Sequence, residues 1–184
     1  LMASYHGLGS AILGYNAQNY GKGDYTRIKR GTLQTLVIML ILFAISLAVG
    51  LLLSINGTYQ YIFMSADKVS PETIRFGNIL IYVDILFYAV LGFLIVVRSA
   101  VQGISLPTYV LAAGIAELFA RIAICAYLPP LINGAPIDSG ASSLAFAAVC
   151  FGDPGAWICA SVILSIPLIR YIIRRKYHHK TAQK

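Results

Sequence analysis

Charge is what this sequence has least of. Only 11% of its 184 residues are Asp, Glu, Lys or Arg, while 58% are hydrophobic; a typical soluble domain is about 25% charged. A soluble fold of this length has too small an interior to hide so much apolar surface. The composition therefore excludes a soluble domain and predicts an integral membrane protein.

The uncharged residues occur in long, nearly uninterrupted runs. A helix needs about 20 apolar residues to cross the hydrocarbon core of a bilayer. Residues 31–66 contain no charge at all, and only Asp84 interrupts the run between Arg75 and Arg98. We predict an all-α polytopic transmembrane helix bundle with four full spans, near 33–54, 76–97, 107–128 and 154–173.

Residues 1–20 are also uncharged but rich in Gly, Ser, Asn and Gln. We interpret them as the end of a clipped span more than as a complete helix. The first residues lack the basic region and cleavage site of a signal peptide. We therefore expect 1–184 to be a single transmembrane bundle and a carboxy-terminal fragment of a longer protein.

The net charge of +7 does not indicate nucleic-acid binding, because the basic residues lie at the ends of spans. They cluster in 22–30 and in the tail 174–184, whereas the loops 55–74 and 129–153 hold a single Lys, Lys68. The positive-inside rule places the basic ends in the cytoplasm. We predict a multi-pass protein of the cell membrane with a cytoplasmic carboxy terminus.

Common catalytic and metal-binding patterns are absent too. Cys125, Cys150 and Cys159 form no CxxC pair, and we expect them to be small apolar residues in buried helices. The sequence has no GxxxxGK[ST] phosphate loop and no HExxH or Ser/His/Asp arrangement. We predict that the protein is not an enzyme and holds neither a metal site nor an organic cofactor.

Asp84 is the first of three ionisable residues inside the predicted spans, where each costs about 2.5–3.5 kcal/mol. Tyr88 shares its helix face, and Arg98 lies nearly on that face but about 21 Å along the axis, which excludes pairing within the helix. Two interpretations stay open. Asp84 is either a carboxylate that binds a cation or proton beside Tyr88 in a water-filled cavity, or a structural acid hydrogen-bonded to a neighbouring helix.

Glu117 and Arg121 are the other two, spaced i, i+4 with the acid first, which favours a helical ion pair. The pair is either a structural link or part of a transport cavity. Gln18 and Asn19 precede a Gly-rich turn, and we expect them to bond helices together at the cytoplasmic end. Isolated acids in spans without a nucleotide site favour ion-coupled transport.

Four motifs in order resemble those of the multidrug and toxic compound extrusion (MATE) transporters. The family has an AQN-G-x-G element followed by a basic residue, then R-x-x-x-Q-G, E-x-x-x-R and P-x-A-W. The corresponding segments here are AQNYGKGDYTRIKRG (17–31), RSAVQG (98–103), AELFARIAI (116–124) and VCFGDPGAWICA (149–160). Together they cover nearly the whole chain.

The resemblance implies the carboxy-terminal half of a twelve-helix, two-bundle fold, from the end of the eighth helix to the twelfth. It implies an antiporter that exports drugs, often organic cations, in exchange for sodium ions or protons. The expected partners are membrane lipid, these substrates and the missing amino-terminal bundle, with no nucleic acid. Glu117 and Arg121 correspond to the family's pair, whereas its coupling acid falls nearer Phe87, about one turn from Asp84.

By the same resemblance, the family's motif and gating positions correspond to Gln18, Asn19, Arg98 and Gln102. Two other functions remain as alternatives. A lipid-linked precursor flippase of the same superfamily should carry several basic residues in its cavity for pyrophosphate. A non-transporting membrane subunit would require Asp84, Glu117 and Arg121 to be purely structural.

Overall fold

The computed structural model describes residues 2–55, 59–63, 65, 69–136 and 142–174, which form helices and no strand. Four helical stretches are long and apolar enough to cross a membrane: 25–54, 71–103, 107–133 and 143–173. The predicted all-α polytopic fold is therefore confirmed. The helices are α1 (Met2–Gly21), α2 (Tyr25–Ser54), α3 (Gln60–Phe63), α4 (Pro71–Gly103), α5 (Pro107–Asn133), α6 (Ser143–Cys150) and α7 (Gly152–Pro167), which a π-helical segment continues (Leu168–Ile173).

Local sequence signals explain where α2 and α4 begin. Gly23 adopts a left-handed φ of 73° in the turn after α1, and the Asp24 side chain then accepts a hydrogen bond from Arg27 N at 3.0 Å. Ser70 caps α4 in the same way, with Thr73 N donating to its Oγ at 3.1 Å. Each cap satisfies a backbone N–H that the first helical turn leaves without a partner.

The third predicted span, 107–128, is shorter than the helix that contains it. Pro129 and Pro130 lie inside α5, which continues to Asn133 and stops at Gly134 in a left-handed conformation. The two prolines remove backbone donors, but only near the end of the helix. Gly134 N closes the last turn by donating to Pro130 O at 2.9 Å.

The last predicted span, 154–173, lies within a helical stretch that begins earlier. The sequence predicts a loop over 129–153, yet α6 already begins at Ser143, capped by Ser142. The apolar side chains of this segment pack on α4: the Phe146 and Phe76 rings lie 4.9 Å apart in an edge-to-face arrangement. Tertiary packing, which a hydropathy count does not include, therefore stabilises α6 as a helix.

The amino-terminal segment is a continuous helix of 20 residues. It is less apolar than the four candidate spans and is not one of them. Its small residues allow close packing on α4, where Gly9 lies against Ser99 and Ile95. Its interpretation as the end of a clipped span stays a prediction.

Helix α4 lies at the centre of the bundle. On one side, its Gly92 faces Met39 of α2 and Tyr5 of α1. On the other side, Tyr88 packs against Trp157 of α7, with ring centroids 6.5 Å apart. Helix α5 packs mainly on α7 and α6 and makes fewer contacts with α4.

Basic residues lie at the end of the bundle where α1 and α4 finish and α2 begins. At this end the structure describes Lys22, Arg27, Lys29, Arg30, Arg170 and Arg174, whereas Arg75 lies near the start of α4, at the other end. This agrees with the predicted clustering, but the side of the membrane that it faces stays a prediction. Residues 175–184 of the predicted basic tail lie outside the described residues.

Candidate functional site: a charge quartet and Asp84

Four charged side chains from three spanning segments meet in the bundle. Arg98 of α4 lies 2.5 Å from Glu117 Oε2 of α5 through its Nη2. Arg121 lies 3.4 Å from Glu117 Oε1 through Nη2 and 2.7 Å from Asp153 Oδ1 of α7 through Nε. We call Arg98, Glu117, Arg121 and Asp153 the charge quartet. Its two cations and two anions balance each other.

The predicted Glu117–Arg121 pair is therefore present as part of a larger arrangement. Its 3.4 Å contact is the longest of the three, and the two shorter ones join different helices. Arg98, expected only as a motif residue, contributes one of them. Two of the three ion pairs, those of Glu117 with Arg98 and Arg121, are also hydrogen bonds. The balance of charge offsets part of the desolvation cost of each member, and the three ion pairs join α4, α5 and α7.

Sequence reasoning missed Asp153, because we assigned it to a loop before Pro154. The structure places it in the first turn of α7, where an acid interacts favourably with the helix dipole. The Asp-Pro pair was the available signal, since Pro is common at the first positions of a helix and acids are favoured beside it.

The quartet is deep in the span and only partly covered. The midpoint of α5 is Ala120, so at roughly 1.5 Å per residue Glu117 and Arg121 lie within about 5 Å of mid-helix. The exposed fraction of the side chain is 18% for Glu117 and 32% for Arg98. It rises to 42% for Arg121 and 54% for Asp153.

Asp84 stands outside the quartet. Its Oδ1 is buried and accepts no hydrogen bond, and no cation of the described residues forms a salt bridge with it. Nearby rings show that this face of α4 lies towards α7: Phe87 packs on Phe151 at 5.4 Å and Tyr88 on Trp157. The structural interpretation needed a hydrogen bond to a neighbouring helix, which Oδ1 lacks.

The amide that bonds α1 to its neighbours is Asn16. It is fully buried, and its Nδ2 donates to Thr32 Oγ1 of α2 at 3.1 Å and to Ala100 O of α4 at 3.3 Å. The sequence predicts that Gln18 and Asn19, rather than Asn16, bond α1 to other helices. Asn19 is buried but donates within α1, to Tyr15 O at 2.7 Å.

Gln18 and Gln102, the other polar motif residues, are both exposed. A signal for Asn16 was present in the sequence. The buried residues of α1 are three or four positions apart, as on one face of a helix: Tyr5, Gly9, Ile12, Asn16 and Asn19.

A separate groove of about 540 Å³ lies between α2, α4 and α7. Apolar side chains such as Met39, Phe93 and Val162 line it, together with Ser161 and Ser165. Neither Asp84 nor the quartet belongs to its lining. In the part of the chain that the structure describes, no three His, Cys, Asp or Glu side chains are grouped to hold a metal ion.

No protein-family model, curated protein or solved structure matches this chain. The resemblance to MATE transporters accordingly stays a prediction from the four motifs.

Proposed function

We propose that this chain is part of a cation-coupled antiporter that exports drugs and other xenobiotics across the cytoplasmic membrane in exchange for sodium ions or protons. One observation carries the proposal. Asp84 lies within a candidate span, and its buried Oδ1 has no hydrogen-bond partner among the described residues.

A carboxylate with one oxygen buried and without a hydrogen-bond partner is costly. A mobile cation or a proton removes that cost by neutralising Asp84, and its release restores the charge. The free energy of the group therefore depends on occupancy, as a coupling site requires. The carboxylates of Glu117 and Asp153 attract a mobile cation less strongly than Asp84 does, because each already contacts an arginine.

The geometry favours this proposal over both alternatives. For a flippase, the structure adds Arg98 beside Arg121, but Glu117 and Asp153 already balance both guanidinium charges, leaving no excess positive charge for pyrophosphate. For a non-transporting subunit Asp84 would have to be structural, yet its buried Oδ1 accepts no hydrogen bond from a neighbouring helix among the described residues.

Substitution of Asp84 tests the proposal. Expression of the whole protein in drug-sensitive cells should increase their resistance to cationic dyes. The Asp84→Asn variant, present in the membrane in the same amount, should lose most of that increase. Asn keeps the size of Asp but cannot bind a proton or balance a cation.

Asp24→Asn is the matched control, since Asn caps a helix about as well as Asp and should leave resistance intact. Full resistance in Asp84→Asn would exclude Asp84 from coupling. Loss of resistance in both variants would indicate a general effect of the substitution.

A further inference from the structure

The ion pairs do not explain why one side of the charge quartet is exposed in the middle of a span. Arg121 and Asp153 leave about half of their side-chain surface uncovered, and Arg121 lies about 1.5 Å from the middle of α5 along its axis. Three surroundings are available at that depth: lipid tails, another protein surface or water.

Lipid tails are the least favourable. A charged side chain facing hydrocarbon at mid-membrane costs roughly 2.5–3.5 kcal/mol or more. Exposed apolar side chains border this surface on α5: Leu118 is 55% exposed, and Phe119 and Ile122 are 66% and 56% exposed. At about 100° per residue they lie about 60°, 160° and 100° around the helix from Arg121, so the charged surface is a narrow strip between apolar ones.

A protein surface is less suitable than water. The quartet balances its own charge, so it calls for no counter-charge from a partner. What it retains is hydrogen-bonding capacity: each guanidinium has several N–H donors, and Arg98 uses one of its nitrogens and Arg121 two for the contacts to the carboxylates. Small, mobile donors and acceptors satisfy such scattered groups, and water supplies both.

We infer that the exposed side of the charge quartet borders a water-filled cavity inside the membrane, open to small hydrophilic solutes from one side. The geometry of Arg121 and Asp153 at mid-span carries this inference. It does not require that the protein transports anything, so it and the proposed function can fail separately.

A native thiol lies beside this surface. Cys125 is one helical turn beyond Arg121, and its Sγ lies against Gly152, the residue before Asp153. It was expected to be buried, but both Cys125 and Cys159 are exposed and only Cys150 is buried. Maleimides react with the thiolate, which forms readily in water and poorly in hydrocarbon.

The experiment compares two single-cysteine forms of the full chain in sealed vesicles of both orientations, treated with a membrane-impermeant maleimide. The first form keeps Cys125 and carries Cys150→Ala and Cys159→Ala. The second adds Cys125→Ala and Ala123→Cys. Ala123 is exposed, about 3 Å from Cys125 in depth and about 160° away around α5, which makes it a control for depth.

From one side of the membrane, we expect Cys125 to react at least about tenfold faster than the control thiol. Denaturation in SDS gives the total thiol of each form and so corrects for unequal amounts. Equally slow reaction of both thiols from both sides would overturn the inference, whether lipid or protein covers the quartet. Equally fast reaction of both would overturn it as well, because the water would not be confined to the quartet.

Discussion

Glu117→Gln is expected to destabilise the bundle by about 3 kcal/mol, the low end of the cost of removing one partner from a buried ion pair. Glu117 is the only member of the quartet that contacts both arginines. Gln keeps the shape but not the charge, so Arg98 loses its carboxylate and the quartet gains a net positive charge. The partial exposure of Arg98 and Arg121 limits the effect.

Titration with SDS from mild detergent measures the free energy of unfolding for this comparison. Glu72→Gln is the matched control: Glu72 is exposed in the first turn of α4, where an acid contributes about 0.3–1 kcal/mol through the helix dipole. If both variants lose the same stability, the contacts of Glu117 do not hold the helices together.

A double variant separates lost charge balance from lost shape. Adding Arg98→Gln to Glu117→Gln leaves the Arg121–Asp153 pair, whose charges again cancel. We expect the double variant to be more stable than Glu117→Gln alone, a coupling of about 1–3 kcal/mol between contacting residues. If the effects of Glu117→Gln and Arg98→Gln, each measured alone, simply add up in the double variant, the 2.5 Å contact between Arg98 and Glu117 contributes little to stability.

The all-α architecture and the central parts of the spans could be predicted because hydropathy depends on local composition. The ends of the spans depend on tertiary packing. Residues 143–150 are apolar but short, and the contact between Phe146 and Phe76 that accompanies their helix lies far away in sequence. The same shift in boundary placed Asp153 in a loop and kept it out of the predicted site.

Contacts between side chains of different helices were harder to predict from the sequence than contacts within one helix. The i, i+4 spacing predicted Glu117 with Arg121, yet the shortest contact joins Glu117 to Arg98, 19 residues earlier. Spacing within one helix fixes which side chains share its face but not which face of another helix it meets. Asp84 shows the converse: that its Oδ1 has no hydrogen-bond partner among the described residues becomes visible only from the packing of the helices.

Gly103→Leu is expected to destabilise the packing of α1 on α4 by about 1–3 kcal/mol, the usual cost of overpacking. A Cβ at this position would lie 2.7 Å from Leu13 O and 2.9 Å from Asn16 Cβ. The first of these atoms is backbone, so no rotamer change relieves the clash and α1 itself must move. That movement also strains the two hydrogen bonds of Asn16 to α2 and α4.

Gly14→Ala provides the control on α1, because a Cβ there meets no atom within 4 Å. Alanine at this helical site should stabilise the chain by up to about 1 kcal/mol, opposite in sign to Gly103→Leu. The same SDS titration compares the two. A loss in both would mean that α1 tolerates no added side-chain bulk anywhere, whereas no loss in Gly103→Leu would show that α1 and α4 do not approach as closely as their backbones indicate. With the expected signs, the Gly of the Q-G motif is explained by helix packing: it permits the approach that lets Asn16 reach Ala100 O.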